Sequence, residues 1–392
     1  MENIKKSLSN VGLSIPEILL PDASLDYGKF SVIACDQFSA RPDYWQSVEE
    51  IVGDAPSALR ITLPEVYLSD NADARIEKIN ATMKEYLANG VIKPIGEGFV
   101  YLRRTTQSGT RRGLVVALDL EQYDYSKGSK SLIRATEATV VDRLPPRIRI
   151  RSGATIELPH IMVLIDDRED KLMKLFDDRY QNLPKLYDFD LMMGGGHSEG
   201  YFVNTEAAFA AIADVLGQLK EASGDGFLYA MGDGNHSLAA AKGCWEEIKA
   251  TLTEEEKAAH PARYALVELV NLHDPAMIFE PIHRLFYNVD PEKTKAELGI
   301  VDGEEVDLQL LQPKIDEWLK SHPEVELEYI HGAQECLDLA AQSPDRLAVI
   351  MPPFDRYAVY DVVRNHGAYV RKSFSIGEAV EKRYYLECRM IK

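Results

Sequence analysis

The sequence predicts a mixed α/β fold, an α+β arrangement of mixed sheets with helices. Strand-length apolar segments alternate with segments of helical periodicity along most of the chain. A hairpin is indicated at 99–118, because two β-rich runs meet across the polar turn 107–110, which contains Gly109. A short strand, a tight turn and an alanine-rich helix follow one another at 227–248.

The N-terminal part is predicted to contain strands and three helices. The strands rest on runs of apolar and β-forming residues, and the first helix rests on its periodicity and its stop at Asn89-Gly90. Thr205 is a polar N-cap ahead of an apolar helical stripe. In order, the elements are strands at 29–34 and 60–67, a helix at 73–87, the hairpin, a strand at 158–166, and helices from 169 and from 205.

The rest of the chain again alternates between strands and helices. Thr253 and Glu256 have the spacing of a capping box, and Pro313 suits the first turn of a helix. The elements are strands at 227–231, 264–272, 325–330, 347–351 and 357–363, and helices from 237, from 253, at 313–319 and at 334–342. The composition becomes more acidic beyond Asp290, so we predict a main α/β domain, 1–290, and a C-terminal α/β lobe, 291–392.

Composition and charge favour a small anionic molecule as partner over nucleic acid or a membrane. A net charge of −19 opposes attraction to both polyanionic surfaces. A small anion can still bind through local donors, because salt screens the distant field over about 8–10 Å. Four scattered cysteines and the lack of a signal-length apolar run predict a cytoplasmic protein without a disulfide framework or zinc knuckle. The sequence does not determine the oligomeric state, and it is compatible with a homo-oligomer.

The turn 233–237 is the segment best suited to chemistry. Gly234 and Asn235 tolerate positive φ, so the turn can direct backbone N–H groups into one concavity, and the following helix adds its positive dipole end. Asp233 supplies a carboxylate, and His236 supplies an imidazole able to carry a proton near neutral pH. A purely structural alternative is an Asx-type turn in which Ser237 caps the helix.

At this turn the sequence resembles the bacterial and archaeal family DUF1015, whose hallmark is a strand ending in Asp-Gly-His-His-Arg before an alanine-containing helix. Other segments are similar to the family's motifs over most of the chain. They are Ala34-Cys35-Asp36, Thr136-Glu137 with Asp142-Arg143, the run 264–285 ending in His283-Arg284, and Lys372-Ser373.

The sequence departs from the family pattern at the centre of the hallmark. Asn235 stands at the first histidine, Ser237 at the arginine, and Thr136 at a histidine that precedes the family's glutamate. A serine cannot replace the bidentate fork of arginine, so Arg143 and Arg284 are the residues expected to compensate. The hallmark turn is also similar to the phosphate turn of the ParB and sulfiredoxin superfamily, which implies a turn–helix element that holds a nucleotide phosphate.

These features predict a nucleotide- or phosphometabolite-binding enzyme, a kinase-like phosphotransferase or phosphohydrolase. Asp233, Glu137 and His236 are the expected catalytic groups, as base, Mg²⁺ ligand or proton carrier. The expected ligand-binding residues are Gly234, Asn235, Ser237, Thr139, Arg143, His283 and Arg284, with Asp36 and Lys372 as further candidates. Mg²⁺ would arrive with a nucleotide, since no HExxH or paired-cysteine spacing indicates a dedicated metal site. The alternatives are a non-catalytic protein that binds or senses an anion, and a metal-dependent hydrolase.

Overall fold

The computed structural model describes residues 1–39, 41–68, 71–139 and 144–392 and confirms the mixed α/β class. The strands in chain order are β1 Leu13–Ser14, β2 Glu17–Pro21, β3 Ile92–Glu97, β4 Phe99–Thr106, β5 Gly109–Asp119, β6 Tyr123–Asp124, β7 Ile133–Arg134, β8 Ile156–Glu157, β9 Met162–Ile165, β10 Lys185–Leu191, β11 Gly196–Val203, β12 Tyr229–Asp233, β13 Tyr264–Asn271, β14 Phe279–Tyr287, β15 Glu326–His331, β16 Arg346–Val349, β17 Phe374–Ile376 and β18 Arg389–Met390.

Most of the α-helices pack on the main sheet, and the three between residues 291 and 341 pack on a smaller sheet. The helices are α1 Glu2–Asn10, α2 Tyr27–Phe30, α3 Pro42–Val52, α4 Ala72–Ala88, α5 Leu144–Gly153, α6 Lys171–Asp177, α7 Glu206–Ala222, α8 Asn235–Lys249, α9 Glu254–Ala259, α10 Pro291–Leu298, α11 Leu308–Lys320, α12 Ala333–Ala341 and α13 Val359–His366. Within the described residues, none of these helices combines the length and hydropathy that a membrane span requires.

Among the described residues, ten strands form the main sheet, in the order β10-β11-β4-β5-β13-β9-β12-β7-β6, with β1 paired to β5. The sheet is antiparallel from β10 to β13, and it contains both parallel and antiparallel pairs beyond β13. One face packs on α6, α7 and α8, and the other on α3, α4 and the chain end. Because both faces are covered, the central strand β13 is buried from Ala265 to Asn271.

A smaller sheet has the order β15-β14-β16, with β17 paired to the start of β14. The chain then returns to the main body, where β18 pairs with β8 and Cys388 forms an isolated bridge with Leu19. The small sheet thus begins with β14, ahead of Asp290, and the boundary proposed there from composition stays a prediction. The topology matters for the site because it carries residues 371–382 back from the small sheet to the end of β12.

Three predicted strands are wrong. Residues 29–34 begin at the end of the short helix α2, which the side chain of Asp26 caps, and then form an isolated bridge at Ile33. Residues 60–67 begin at the end of the 3₁₀ turn Ala58–Arg60 and end in a second one, Glu65–Tyr67. Residues 357–363 lie mainly in α13, because Val359, Tyr360 and Val363 share one buried helical face despite their β-forming side chains. The hairpin, α4, α7, the capping box of α9 and the strand–turn–helix at β12 and α8 are confirmed.

Candidate anion-binding site

The turn between β12 and α8 is built around Gly234. Its φ of 78° lies in the left-handed region that glycine adopts without penalty. A Cβ at this position would also meet Ile161 at 3.1 Å, a tight contact that would require Ile161 to shift by a few tenths of an ångström. Gly234 has no side chain with which to cap α8, so the backbone N–H groups of Asn235 and His236 and the positive dipole end of a 15-residue helix lie at this point, while the Ser237 N–H donates to the Gly234 carbonyl.

A cavity of ≈ 280 Å³ opens at this turn, and residues 232–237 line it. Its other walls come from several distant parts of the chain, chiefly the segment around Asp36, residues 137–138 and residues 371–382, together with Glu65 and Arg147. Four carboxylates, Asp36, Glu65, Glu137 and Asp233, face four cations, Arg147, Arg371, Lys372 and Lys382. The cavity is therefore strongly charged but balanced, which suits a ligand that carries both an anionic group and neutral polar atoms.

Asp233 is held by an ion pair at the end of β12. Its Oδ2 lies 3.0 Å from Nζ of Lys382, and its Oδ1 accepts a hydrogen bond from the Gly234 N–H at 2.9 Å. Burial opposes ionisation, but the charge and hydrogen bond of Lys382 outweigh it and lower the pKa of the Asp233 carboxyl. The carboxylate is thus ionised and holds the ammonium group of Lys382 at the cavity. It also accepts the hydrogen bond of the Gly234 N–H, which the sequence predicts to bind a ligand.

On another wall of the cavity, Glu137 holds the backbone near Ser373, and we call this contact the clamp. Its Oε1 accepts a hydrogen bond from the Ser373 N–H at 2.9 Å, just after Lys372, which has a positive φ of 58°. Burial raises the pKa of the Glu137 carboxyl, and the amide of Ser373 and the charge of Lys372 oppose that shift only in part. Glu137 therefore binds residues 371–374 to the main body while its carboxyl remains on the cavity wall.

Ser237 belongs to a hydrogen-bonded chain. Its Oγ lies 2.8 Å from Nε2 of His160, whose Nδ1 lies 2.9 Å from the Tyr385 hydroxyl. The Cys35 N–H donates to the same hydroxyl, which fixes the ring of Tyr385. Oδ2 of Asp36 approaches Nε2 of His160 to 3.8 Å. Ser237 is thus not a helix cap: its hydroxyl is paired with an imidazole beside a carboxylate.

The cations of the cavity differ in how they are paired. Arg147 pairs with Glu65, Arg371 with Asp316, and Lys382 with Asp233. Over the described ranges, Lys372 is the cavity-lining lysine or arginine that makes no ion pair, and its side chain is exposed. An anion that enters the cavity can bind this lysine without breaking an existing pair.

The family model described as "Protein of unknown function (DUF1015)" matches residues 19–334. The chain belongs to this family. No curated protein matches the chain. A mutant free serine kinase in complex with ADP is 12% identical, with 67% of this chain and 91% of that chain covered at a TM-score of 0.37. The same kinase in complex with AMP is 12% identical, with 70% of this chain and 90% of that chain covered at a TM-score of 0.38. A conserved hypothetical protein from Pyrococcus furiosus is also 12% identical, with 70% of this chain and 94% of that chain covered at a TM-score of 0.36. TM-scores this low do not establish a common fold.

The DUF1015 chain brings together most of the residues singled out from its sequence. Asp36, Glu137, Asp233, Gly234, Asn235, His236, Ser237 and Lys372 all line the cavity. Thr139 and Asn235 each bury a side-chain oxygen, Oγ1 and Oδ1, that has no hydrogen-bond partner among the described residues. Such atoms are normally satisfied by water or a ligand. Arg143 and its neighbour Asp142 lie outside the described residues.

His283 and Arg284 do not line the cavity of this DUF1015 protein. Arg284 is 0% exposed and donates to Gln312, to the Ile282 carbonyl and to the Arg371 carbonyl. His283 accepts a hydrogen bond from the Met351 N–H, and burial lowers its pKa. Both side chains are thus committed to the small sheet, and Arg284 supports the backbone of Arg371 from behind.

Sequence reasoning missed five residues of the DUF1015 site that the structure reveals: Glu65, Arg147, Arg371 and Lys382, which line the cavity, and His160, which is hydrogen-bonded to Ser237. None belongs to a recognisable motif, because each reaches the cavity through tertiary contact. One signal was available for Arg371, which directly precedes the Lys372-Ser373 pair.

Proposed function

We propose that this cavity binds a phosphate-bearing small molecule, a nucleotide or phosphometabolite, and that the protein is a kinase-like phosphotransferase or phosphohydrolase. The observation that carries the proposal is the meeting of an uncapped helix N-terminus with the exposed Lys372 in one cavity. Amides at a helix start and a lysine are the donors from which phosphate sites are commonly built.

The contacts divide the polar residues into binding, positioning and reacting groups. Lys372, Lys382 and the first amides of α8 would hold the phosphate. Asp233 would position Lys382, since its carboxylate is already paired with that lysine at 3.0 Å. Asp36 is a cavity carboxylate whose Oδ2 lies 3.8 Å from Nε2 of His160, so it is well placed to accept a proton from an attacking hydroxyl. His236, on the cavity wall, would carry a proton or donate to phosphate.

The residues present fit a Mg²⁺ that arrives with a nucleotide. Such an ion usually needs only one or two carboxylates besides phosphate oxygens, and Glu137 on the cavity wall can supply one. When bound, the ion would neutralise charge on the phosphates. Within the described ranges, no group of three or more His, Cys, Asp or Glu side chains is arranged to hold a metal by itself.

Calorimetric titration with inorganic phosphate, ATP, ADP and CTP, with and without Mg²⁺, tests the binding step. We expect heat with at least one of them, and an affinity lower by about tenfold or more in Lys372→Gln, because hydrogen bonds to charged groups contribute about 1.5–3 kcal/mol. Lys84→Gln, at an exposed position of α4, is the matched control. The absence of heat with every compound would contradict the proposal.

Turnover separates the enzyme from its alternatives. Asp36→Asn should abolish phosphate release or transfer while the affinity for the ligand survives, whereas the exposed Asp178→Asn should change neither. A ligand that binds but yields no product under any condition would favour the non-catalytic binding protein. Stoichiometric metal in the purified protein, with activity that a chelator removes in the absence of nucleotide, would favour the metal-dependent hydrolase.

A further inference from the structure

A second pocket of ≈ 150 Å³ adjoins the charged cavity and has a different chemical character. Aliphatic side chains form most of its walls: Ile61, Leu63, Leu68, Ile150, Leu158 and Leu266. Ile61, Leu63 and Leu68 flank the 3₁₀ turns near Pro64, Ile150 lies in α5, Leu158 follows β8, and Leu266 lies in β13. A ligand binds favourably in a pocket of this composition mainly because its apolar groups are removed from water.

The two pockets meet at three shared residues: Glu65, Arg147 and Ser237 line both of them, and His160 lines the apolar pocket. The Arg147–Glu65 ion pair and the Ser237–His160 hydrogen bond therefore form the border between a charged chamber and an apolar one. A ligand seated across this border would place its polar and apolar parts in different chambers, with the connecting bond beside Ser237 and His160.

We propose that the substrate is an amphiphilic anion, with a phosphate head in the charged cavity and an aliphatic group of a few carbons in the apolar pocket. This inference rests on the proposed function and narrows its substrate class. The pocket volume equals about five water molecules' share of the liquid, which limits the aliphatic group to a short one. A nucleobase suits it less, because polar base edges buried against aliphatic walls would lose their hydrogen bonds with water.

A series of alkyl phosphates tests the inference: inorganic, methyl, ethyl, propyl, butyl and hexyl phosphate, each titrated calorimetrically. We expect about fourfold tighter binding per added methylene until the pocket is full, and a plateau thereafter. Leu68→Ala enlarges the pocket at a partly exposed position, so the plateau should move to longer chains while the affinity for inorganic phosphate stays unchanged. A misfolded variant would lose its affinity for inorganic phosphate, so it could not produce a moved plateau together with an unchanged affinity. Leu310→Ala, which is exposed on α11, is the matched control.

The possible outcomes distinguish the inference from the proposed function. Phosphate that binds with Lys372-dependent affinity, together with alkyl phosphates that bind no tighter than methyl phosphate, overturns the inference and leaves the proposed function standing. Failure of every phosphate and nucleotide to bind overturns both. Tighter binding with chain length that Leu68→Ala leaves unchanged shows that the alkyl group lies elsewhere, and also overturns the inference.

Discussion

Two clusters of charged residues differ in how completely their members are paired. In the first, Glu268 is 0% exposed and binds Arg111 at 3.2 Å and Arg383 at 2.8 Å, and Arg383 also pairs with Glu387. In the second, the cavity at the start of α8, the exposed Lys372 makes no ion pair among the described residues. Both clusters receive residues from the same returning segment near the C-terminus.

The difference teaches how to separate a structural charge cluster from a candidate site. A charge removed from water must be paired, because the desolvation penalty is otherwise uncompensated. Burial opposes ionisation of Glu268, but the charges of Arg111 and Arg383 outweigh it and lower the pKa of its carboxyl. A lysine at the border of a cavity can stay unpaired because water solvates it, and it remains available to a ligand.

The largest expected effect is on the buried cluster. Glu268→Gln leaves the buried guanidinium of Arg111 without its counter-charge and that of Arg383 with Glu387 alone, so we expect a loss of about 3–5 kcal/mol in the free energy of unfolding. Urea denaturation measures it, with Glu85→Gln at an exposed position of α4 as the control. A loss below about 1 kcal/mol would mean that the cluster does not depend on its pairing.

A smaller effect is expected at the turn. Gly234→Ala forces a Cβ into the left-handed region and against Ile161, so we expect a loss of about 1–3 kcal/mol. Gly217→Ala is the matched control: it lies inside α7, and its Cβ would meet nothing within 4 Å. That control should gain about 0.5–1 kcal/mol from helix propensity. The melting temperatures of the two variants measure these changes. Equal shifts in melting temperature would show that the turn has no special need for glycine at position 234.

The smallest effect concerns acid titration of the cavity. Because the pKa of Asp233 is lowered in the folded protein, its stabilising contribution is present above about pH 4, its unfolded value, and is lost as the pH falls through the folded value. The side chain is partly exposed, so we expect less than about 1 kcal/mol. Unfolding measured from pH 6 to pH 2 should show a shallower loss in Asp233→Asn than in the unaltered protein. An identical slope would show that the pair with Lys382 is not stabilising.

Local sequence pattern was sufficient for much of the fold. Thr205 caps α7 as predicted, accepting from the Ala208 N–H, and the hairpin of β4 and β5 spans the predicted turn. The pattern failed where β-forming residues serve another purpose. Val359 and Val363 are β-branched, yet they lie one helical turn apart on the buried face of α13.

The candidate site was predictable only in its local part. The turn 233–237 could be found because its residues are adjacent and its backbone requires glycine. His160 and Lys382 could not be found, since a hydrogen bond and an ion pair across the fold bring them to the turn. Arg284 shows the opposite error: its motif suggested a ligand contact, but its guanidinium donates to Gln312 of α11 and to the carbonyls of Ile282 and Arg371.

The clamp between Glu137 and residues 372–374 has a consequence for comparing relatives. One wall of the cavity, the turn, lies inside the stretch 19–334 that defines family membership, and the wall carrying Lys372 and Lys382 lies beyond it. A ranking of homologues by that stretch alone would therefore compare the wall formed by the turn and would not compare the wall that carries Lys372 and Lys382. Ligand preference could diverge among them without leaving any trace in the diagnostic motif.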